Sequence, residues 1–163
     1  MSGVLLVCHA NTCRSVMAHV LLERMLAARG LGDVPVRSAG VARFARDGML
    51  ASLDARLVLR EIGIHLAEDA FASTDLRRHP ELLDDAAVVV TMTAEQKRVV
   101  GELAAAPRPV LTLRELAGEE GDIADPVGQG DHVYRACRDE IARCLGKGLD
   151  LLLALRAGER ASA

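Results

Sequence analysis

Four short, mostly apolar runs at residues 4–7, 34–37, 87–91 and 109–112 alternate with longer segments of helical period. That alternation constrains the fold more than any other feature of the chain. Runs of about four to eight residues suit buried strands, whereas buried helices need about ten or more. The clearest run contains Val88-Val89-Val90. Its β-branched residues, with no polar alternation, fit a strand covered on both faces. Between the runs, residues 15–29 carry Val16, Val20, Leu21, Leu22, Met25 and Leu26 at helical spacing, with Ser15 as N-cap and Gly30 as stop. Residues 50–62 form a second helix with Leu53, Leu57, Val58 and Ile62 in one stripe. Residues 74–84 predict helical turns around Pro80, and Thr93 caps a helix to about residue 103. A polar, Gly-rich loop fills 118–130, and Asp131 opens a last helix to about residue 156. Strands alternating with helices predict an α/β fold: an open, mainly parallel, twisted sheet of about four strands with helices on both faces. Neither a repeat nor a linker interrupts the chain, so residues 1–163 are expected to form a single domain with a frayed tail at 157–163.

Composition narrows the function. The chain has 20 Lys+Arg against 23 Asp+Glu, and no run of like charges, so the footprint of a nucleic-acid binder is missing. Phe44, Phe71 and Tyr134 are its only aromatic residues, too few for base-stacking platforms. The start of the chain lacks a basic stretch, and the apolar segment 149–155 is broken by Asp150. Neither a signal peptide nor a membrane span is expected, and a cytoplasmic location follows. Four cysteines are too few for a disulfide scaffold and are expected to be free or catalytic.

In an open parallel sheet the site lies beyond the carboxyl ends of the strands. The first strand is followed by Cys8-His9-Ala10-Asn11-Thr12-Cys13-Arg14-Ser15, which opens the first helix and has Cys-x5-Arg spacing. A strand-to-helix turn can wrap backbone N–H groups around an oxyanion, with the helix N-terminus adding positive potential. Arg14 can grip two oxygens of a phosphate with its planar fork. Cys8 below would be held as a thiolate by those N–H groups, by Arg14 and by the Ser15 hydroxyl, and a thiolate can accept a phosphoryl group. The stretch lacks the Gly-x4-Gly-Lys-Ser/Thr of a nucleotide loop. A zinc site is disfavoured, because Cys137 and Cys144 stand far away on one face of the last helix as small core residues.

The stretch 7–15 resembles the phosphate loop of the low-molecular-weight protein tyrosine phosphatases. Arg37-Ser38-Ala39-Gly40-Val41 after the second strand, Asp125-Pro126 in the late loop, and 87–97 around Met92-Thr93 agree with it, in order, over nearly the whole chain. The resemblance implies a phosphatase acting through a cysteinyl-phosphate. Cys8 is then the nucleophile, Arg14 the phosphate clamp, and Asp125 first the acid and then the base. His9, Ala10, Asn11, Thr12, Cys13 and Ser15 form the phosphate-binding loop, and Asn11 and Ser38 support it. Neither metal nor cofactor is implied. The partners implied are phosphorylated proteins, with inorganic phosphate as product and no nucleic acid or membrane.

Within the family, Thr12 stands where the tyrosine branch has Ile or another apolar residue. Val127 stands where that branch has aromatics. Asp125-Pro126-Val127-Gly128-Gln129-Gly130, Tyr134 and Arg138-Asp139-Glu140 are similar to the bacterial protein-arginine phosphatases, which carry Thr at the Thr12 position. That branch is the expected function. A tyrosine phosphatase is the alternative, and an arsenate reductase or a non-catalytic phosphoprotein-binding module are further ones. Three positions depart from the pattern: Ala10 replaces a Gly, Val16 a Pro, and Val127 a Phe. A positive φ at Ala10 would cost roughly 1 kcal/mol and loosen the cradle. Cys13, five residues after Cys8, is a candidate to join it in a reversible disulfide under peroxide.

Overall fold

The computed structural model describes residues 3–158. Its four strands are β1 (Gly3–Cys8), β2 (Val36–Gly40), β3 (Ala86–Thr91) and β4 (Val110–Thr112). They form one sheet in the order β2-β1-β3-β4, with every pair parallel. The helices are α1 (Arg14–Ala28), α2 (Leu53–Arg60), α3 (Glu81–Asp84), α4 (Ala94–Leu103), α5 (Leu113–Leu116) and α6 (Asp131–Arg156).

Side chains along a strand point alternately to its two faces. Val4, Leu6 and Cys8 of β1 therefore join one core with Met17 and Leu22 of α1, Leu59 of α2 and Ile141 and Leu145 of α6. Leu5 and Val7 join the other, with Leu83 of α3 and Val100 of α4. This is why β1 and β3 read as unbroken apolar runs: each is covered on both sides. β1 lies between β2 and β3, so the chain leaves its carboxyl end where the strand order reverses, and the crevice opens there.

Several boundaries differ from the sequence reading. Ser15 is not the cap of α1. Cys13 holds the N-cap position and Ser15 lies inside the helix, its hydroxyl engaged by Cys8 and Asn11. Ser38-Ala39-Gly40 does not end β2 but forms its second half, pairing with Leu6, Val7 and Cys8. Helix α2 is shorter than expected because Ser52 caps it by accepting from the Ala55 N–H. Leu50 is instead drawn into an isolated bridge with Ala72. The expected stripe is also displaced: Ala55, Val58 and Leu59 face the core, while Leu53 and Leu57 are exposed. Helix α5, capped reciprocally by Thr112 and Glu115, was not expected. Of the expected frayed tail, Ala157 and Gly158 form a turn after α6, and residues 159–163 lie outside the described ones. Among the described residues, no helix is long and apolar enough to cross a membrane.

Helix α6 presses closely on α5. A Cβ on Gly148 would sit 2.5 Å from the Leu116 carbonyl oxygen and 2.6 Å from its Cγ. Gly146, two residues earlier on the opposite face of the helix, does not share that crowding, since a Cβ there would meet nothing within 4 Å. Gly148→Ala should therefore destabilise by ~1–3 kcal/mol through overpacking. Gly146→Ala should stabilise by up to ~1 kcal/mol through helix propensity. Urea unfolding of both variants checks this, and shifts of the same sign would contradict the packing described.

Candidate active site

Cys8 is the last residue of β1, and Arg14 is the first of α1, so residues 9–13 must reverse direction within one short loop. The turn is made at Asn11, whose φ of 60° is the only positive value at a non-glycine among the described residues. Asn tolerates this left-handed backbone better than most residues. Ala10 has no positive φ, so the strain anticipated there does not arise.

The Asn11 side chain is fully buried and links three segments. Its Nδ2 donates to Ser15 Oγ at 2.8 Å, and its Oδ1 accepts from the Thr74 N–H at 2.9 Å. Ser15 Oγ lies 3.0 Å from Cys8 Sγ. Because that oxygen already accepts from Asn11, its own proton is free to point at the sulfur, which stabilises a thiolate. Among the described residues, no protein acceptor takes the backbone N–H groups of residues 10–13. They remain for an anion.

Gly40 supports the loop from below. A Cβ there would lie 2.6 Å from the His9 carbonyl oxygen and 2.8 Å from the Ala10 carbonyl carbon. Val41 and Ala42 donate to the carbonyls of Cys8 and His9 at 3.1 and 3.0 Å, fastening the strand end to the loop. Ser38 does not make the expected support. Its hydroxyl meets His19 Nδ1 at 2.9 Å, beside a separate cavity of about 510 Å³ that contains no residue of the loop.

Arg14 is buried to 2% exposure, and its Nη1 donates to the Ile123 carbonyl at 2.7 Å. Its Nη2 lies 3.7 Å from Asp125 Oδ2. One guanidinium thus ties α1 to the loop between α5 and α6. Asp125 is positioned from its own loop, accepting from the Val127 N–H at 3.1 Å through Oδ1. Its carbonyl accepts from Gln129 Nε2 at 2.8 Å. The carboxylate itself stays half-exposed at the mouth.

Cys8, His9, Ala10, Thr12, Cys13, Arg14, Asp125 and the side chains of Phe44 and Val127 enclose a cleft of about 230 Å³. Thr12 is fixed through its backbone, accepting from the Ser52 N–H at 2.8 Å. Burial, with the neighbouring sulfurs of Cys137 and Cys8, pushes the Cys13 thiol far up, and burial pushes Cys137 up to about 12. Neither is an activated nucleophile. Tyr134 packs in the core, where burial raises its hydroxyl to about 12. Arg138 ties α6 to α2 by donating to the Val58 carbonyl at 2.6 Å.

Sequence reasoning named Gly40 only as part of the 37–41 motif, with no role, and did not find Phe44, Thr74, Gln96 and Ile123 at the site. Thr74 and Ile123 act through backbone atoms, which leave no residue-type signal. Gln96 was accessible as the fourth residue of a Thr93-x-x-Gln96 capping box.

The model of the family described as low molecular weight phosphotyrosine protein phosphatase matches residues 3–158. The chain belongs to that family. It is 44% identical over 140 residues to a protein-arginine-phosphatase of Geobacillus stearothermophilus, covering 85% of this chain and 87% of the relative. The low-molecular-weight protein tyrosine phosphatase of T. tengcongensis superposes with a TM-score of 0.82 at 33% identity, over 93% of this chain and 99% of its own. The arginine phosphatase YwlE, in a mutant form with a phosphorylated active-site serine, superposes with a TM-score of 0.76 at 33% identity, over 94% and 99% of the two chains.

Since a Cβ on Gly40 would enter the loop backbone, Gly40→Ala should spoil the anion cradle while sparing the sheet. Inhibition by inorganic phosphate should weaken by about 10-fold, equal to ~1.4 kcal/mol, with the far-UV circular dichroism unchanged. Unaltered phosphate affinity in a folded Gly40→Ala protein would contradict the assignment of the loop as the anion site.

Proposed function

We propose that this chain is a protein-arginine phosphatase, working as one domain on phosphorylated cytoplasmic proteins through a cysteinyl-phosphate. The observation that carries the reading is the convergence of Cys8 Sγ, the Ser15 hydroxyl and the Arg14 guanidinium under a half-exposed Asp125. The 44% identical arginine phosphatase supports the substrate class, and Thr12 in the cleft agrees with it. The relative with a phosphorylated active-site serine supports a covalent phosphoryl intermediate. All four cysteines are free thiols, which suits a reducing compartment.

In this mechanism the phosphate enters the loop and binds the free N–H groups of residues 10–13 and the Arg14 fork. The Cys8 thiolate attacks phosphorus, and the bond from phosphorus to the guanidinium nitrogen breaks. Asp125 gives that nitrogen its proton, so arginine leaves. A water then attacks the phosphocysteine, Asp125 takes its proton, and the sulfur–phosphorus bond breaks to release inorganic phosphate and the thiolate. Ser15 stabilises the sulfur anion both as nucleophile and as leaving group. The Thr12 hydroxyl guides the water.

Wild-type enzyme should hydrolyse phosphoarginine peptides with higher kcat/KM than phosphotyrosine peptides of the same sequence. A preference for phosphotyrosine would overturn the substrate assignment and leave the family chemistry in place. Asp125→Asn should slow turnover by ~10²–10⁴ on a substrate with a poor leaving group. The loss should be smaller on an activated aryl phosphate, whose leaving group needs little protonation. Equal losses on both would show Asp125 to be structural only.

A further inference from the structure

The side chains of His9 and Gln96 are 87 residues apart in sequence and meet at the cleft. Gln96 Oε1 accepts from two backbone N–H groups, Met92 at 3.0 Å and Thr93 at 3.1 Å. That pair fixes which end of the amide faces the loop. The end left over is Nε2, and it lies 3.3 Å from His9 Nδ1. An amide NH₂ only donates, so His9 Nδ1 must be the acceptor and the ring proton resides on Nε2. A proton on Nδ1 would set two donors against each other.

From this geometry we infer that His9, held uncharged and oriented by Gln96, is the wall of the cleft that receives the planar cationic part of the substrate, and so helps select phosphoarginine over phosphotyrosine. The inference rests on the phosphatase reading above. His9 lines the cleft beside Cys8, Arg14 and Asp125, with the Phe44 ring centroid 6.4 Å away. A guanidinium stacks favourably on an uncharged aromatic face and is repelled by an imidazolium. A neutral phenol ring lacks that penalty. The ring's charge state therefore discriminates between the two side chains.

The groups around His9 favour the uncharged ring. Burial is the largest influence, and Arg14, from α1, also disfavours a second positive charge; Asp125, from the α5–α6 loop, opposes them. The net effect lowers the basicity of His9. Gln96 of α4 and Phe44 of the β2–α2 segment contribute no charge. Gln96 is itself buried, so its amide is not exchanged for water.

The test is Gln96→Glu, which keeps one oxygen for the Met92 and Thr93 N–H groups and turns the other toward His9 Nδ1. The imidazole should then be protonated at pH 7. The ratio of kcat/KM for phosphoarginine over phosphotyrosine should fall by at least ~10-fold, or ~1.4 kcal/mol. Imidazole ¹⁵N NMR should report the Nε2–H tautomer in the wild type and an imidazolium in the variant. Adding His9→Phe, which cannot be charged, should restore the ratio toward the wild-type value. An Nδ1–H tautomer in the wild type overturns the inference, as does a neutral His9 in the Gln96→Glu protein. So does an unchanged ratio with His9 charged. A wild type with no phosphoarginine turnover overturns the proposed function instead, and that result is read before any variant is made.

Discussion

The hydrogen-bond chain from Asn11 through Ser15 to Cys8 is what the site depends on. Its first step is directed by chemistry, because an amide NH₂ only donates to the hydroxyl oxygen, and with Cys8 as a thiolate only the hydroxyl can donate to sulfur. The same amide carries its oxygen to the Thr74 backbone. The loop is therefore held to the helix above it and to a segment far along the chain by one buried residue. Removing any link would leave a buried polar group without its partner, which costs ~1–3 kcal/mol. This geometry also explains the left-handed turn at Asn11, which brings both ends of that side chain to their partners.

A second constraint is the burial of Arg14. A charged side chain at 2% exposure is unfavourable unless its polar atoms are met. One nitrogen is met by the Ile123 carbonyl, while Asp125 lies 3.7 Å from another, beyond a normal hydrogen bond. The cleft thus holds a fixed positive group, free N–H groups and an enclosed wall, with little reorganisation needed when a phosphate arrives. Such preorganisation places electrostatic stabilisation where charge develops during phosphoryl transfer. Asp125 stands half-exposed at the mouth of the cleft, beside the Arg14 guanidinium, where an incoming leaving group and an incoming water both pass.

Much of this was legible in the chain. The alternation of short apolar runs with helical segments led to a four-stranded parallel sheet, because β1 and β3 are covered on both faces by the two cores. The Cys8–Arg14 spacing and Asp125-Pro126 located the residues that meet at the cleft, since a strand end and a helix start are tied together covalently. What was not legible came from tertiary contacts. Ser15 reads as a cap by type, but its hydroxyl is engaged by the Cys8 sulfur and the Asn11 amide together. Leu53 and Leu57 read as a core stripe, yet the helix turns Ala55, Val58 and Leu59 inward. Gly40 stands in the 37–41 motif, but its close approach to the backbone of residues 9–11 shows only in three dimensions. Gln96 shows its capping role in sequence and its hold on His9 only in three dimensions.

The central claim is that phosphate passes through Cys8. The most direct measurement is rapid quenching of the enzyme during turnover of a phosphoarginine protein, followed by mass spectrometry under conditions that preserve phosphocysteine. The account predicts one added phosphoryl group, on the peptide bearing Cys8, that appears before product and disappears when substrate is exhausted. A phosphoryl group on any other residue, or a burst of free arginine side chain with no covalent species, would contradict it.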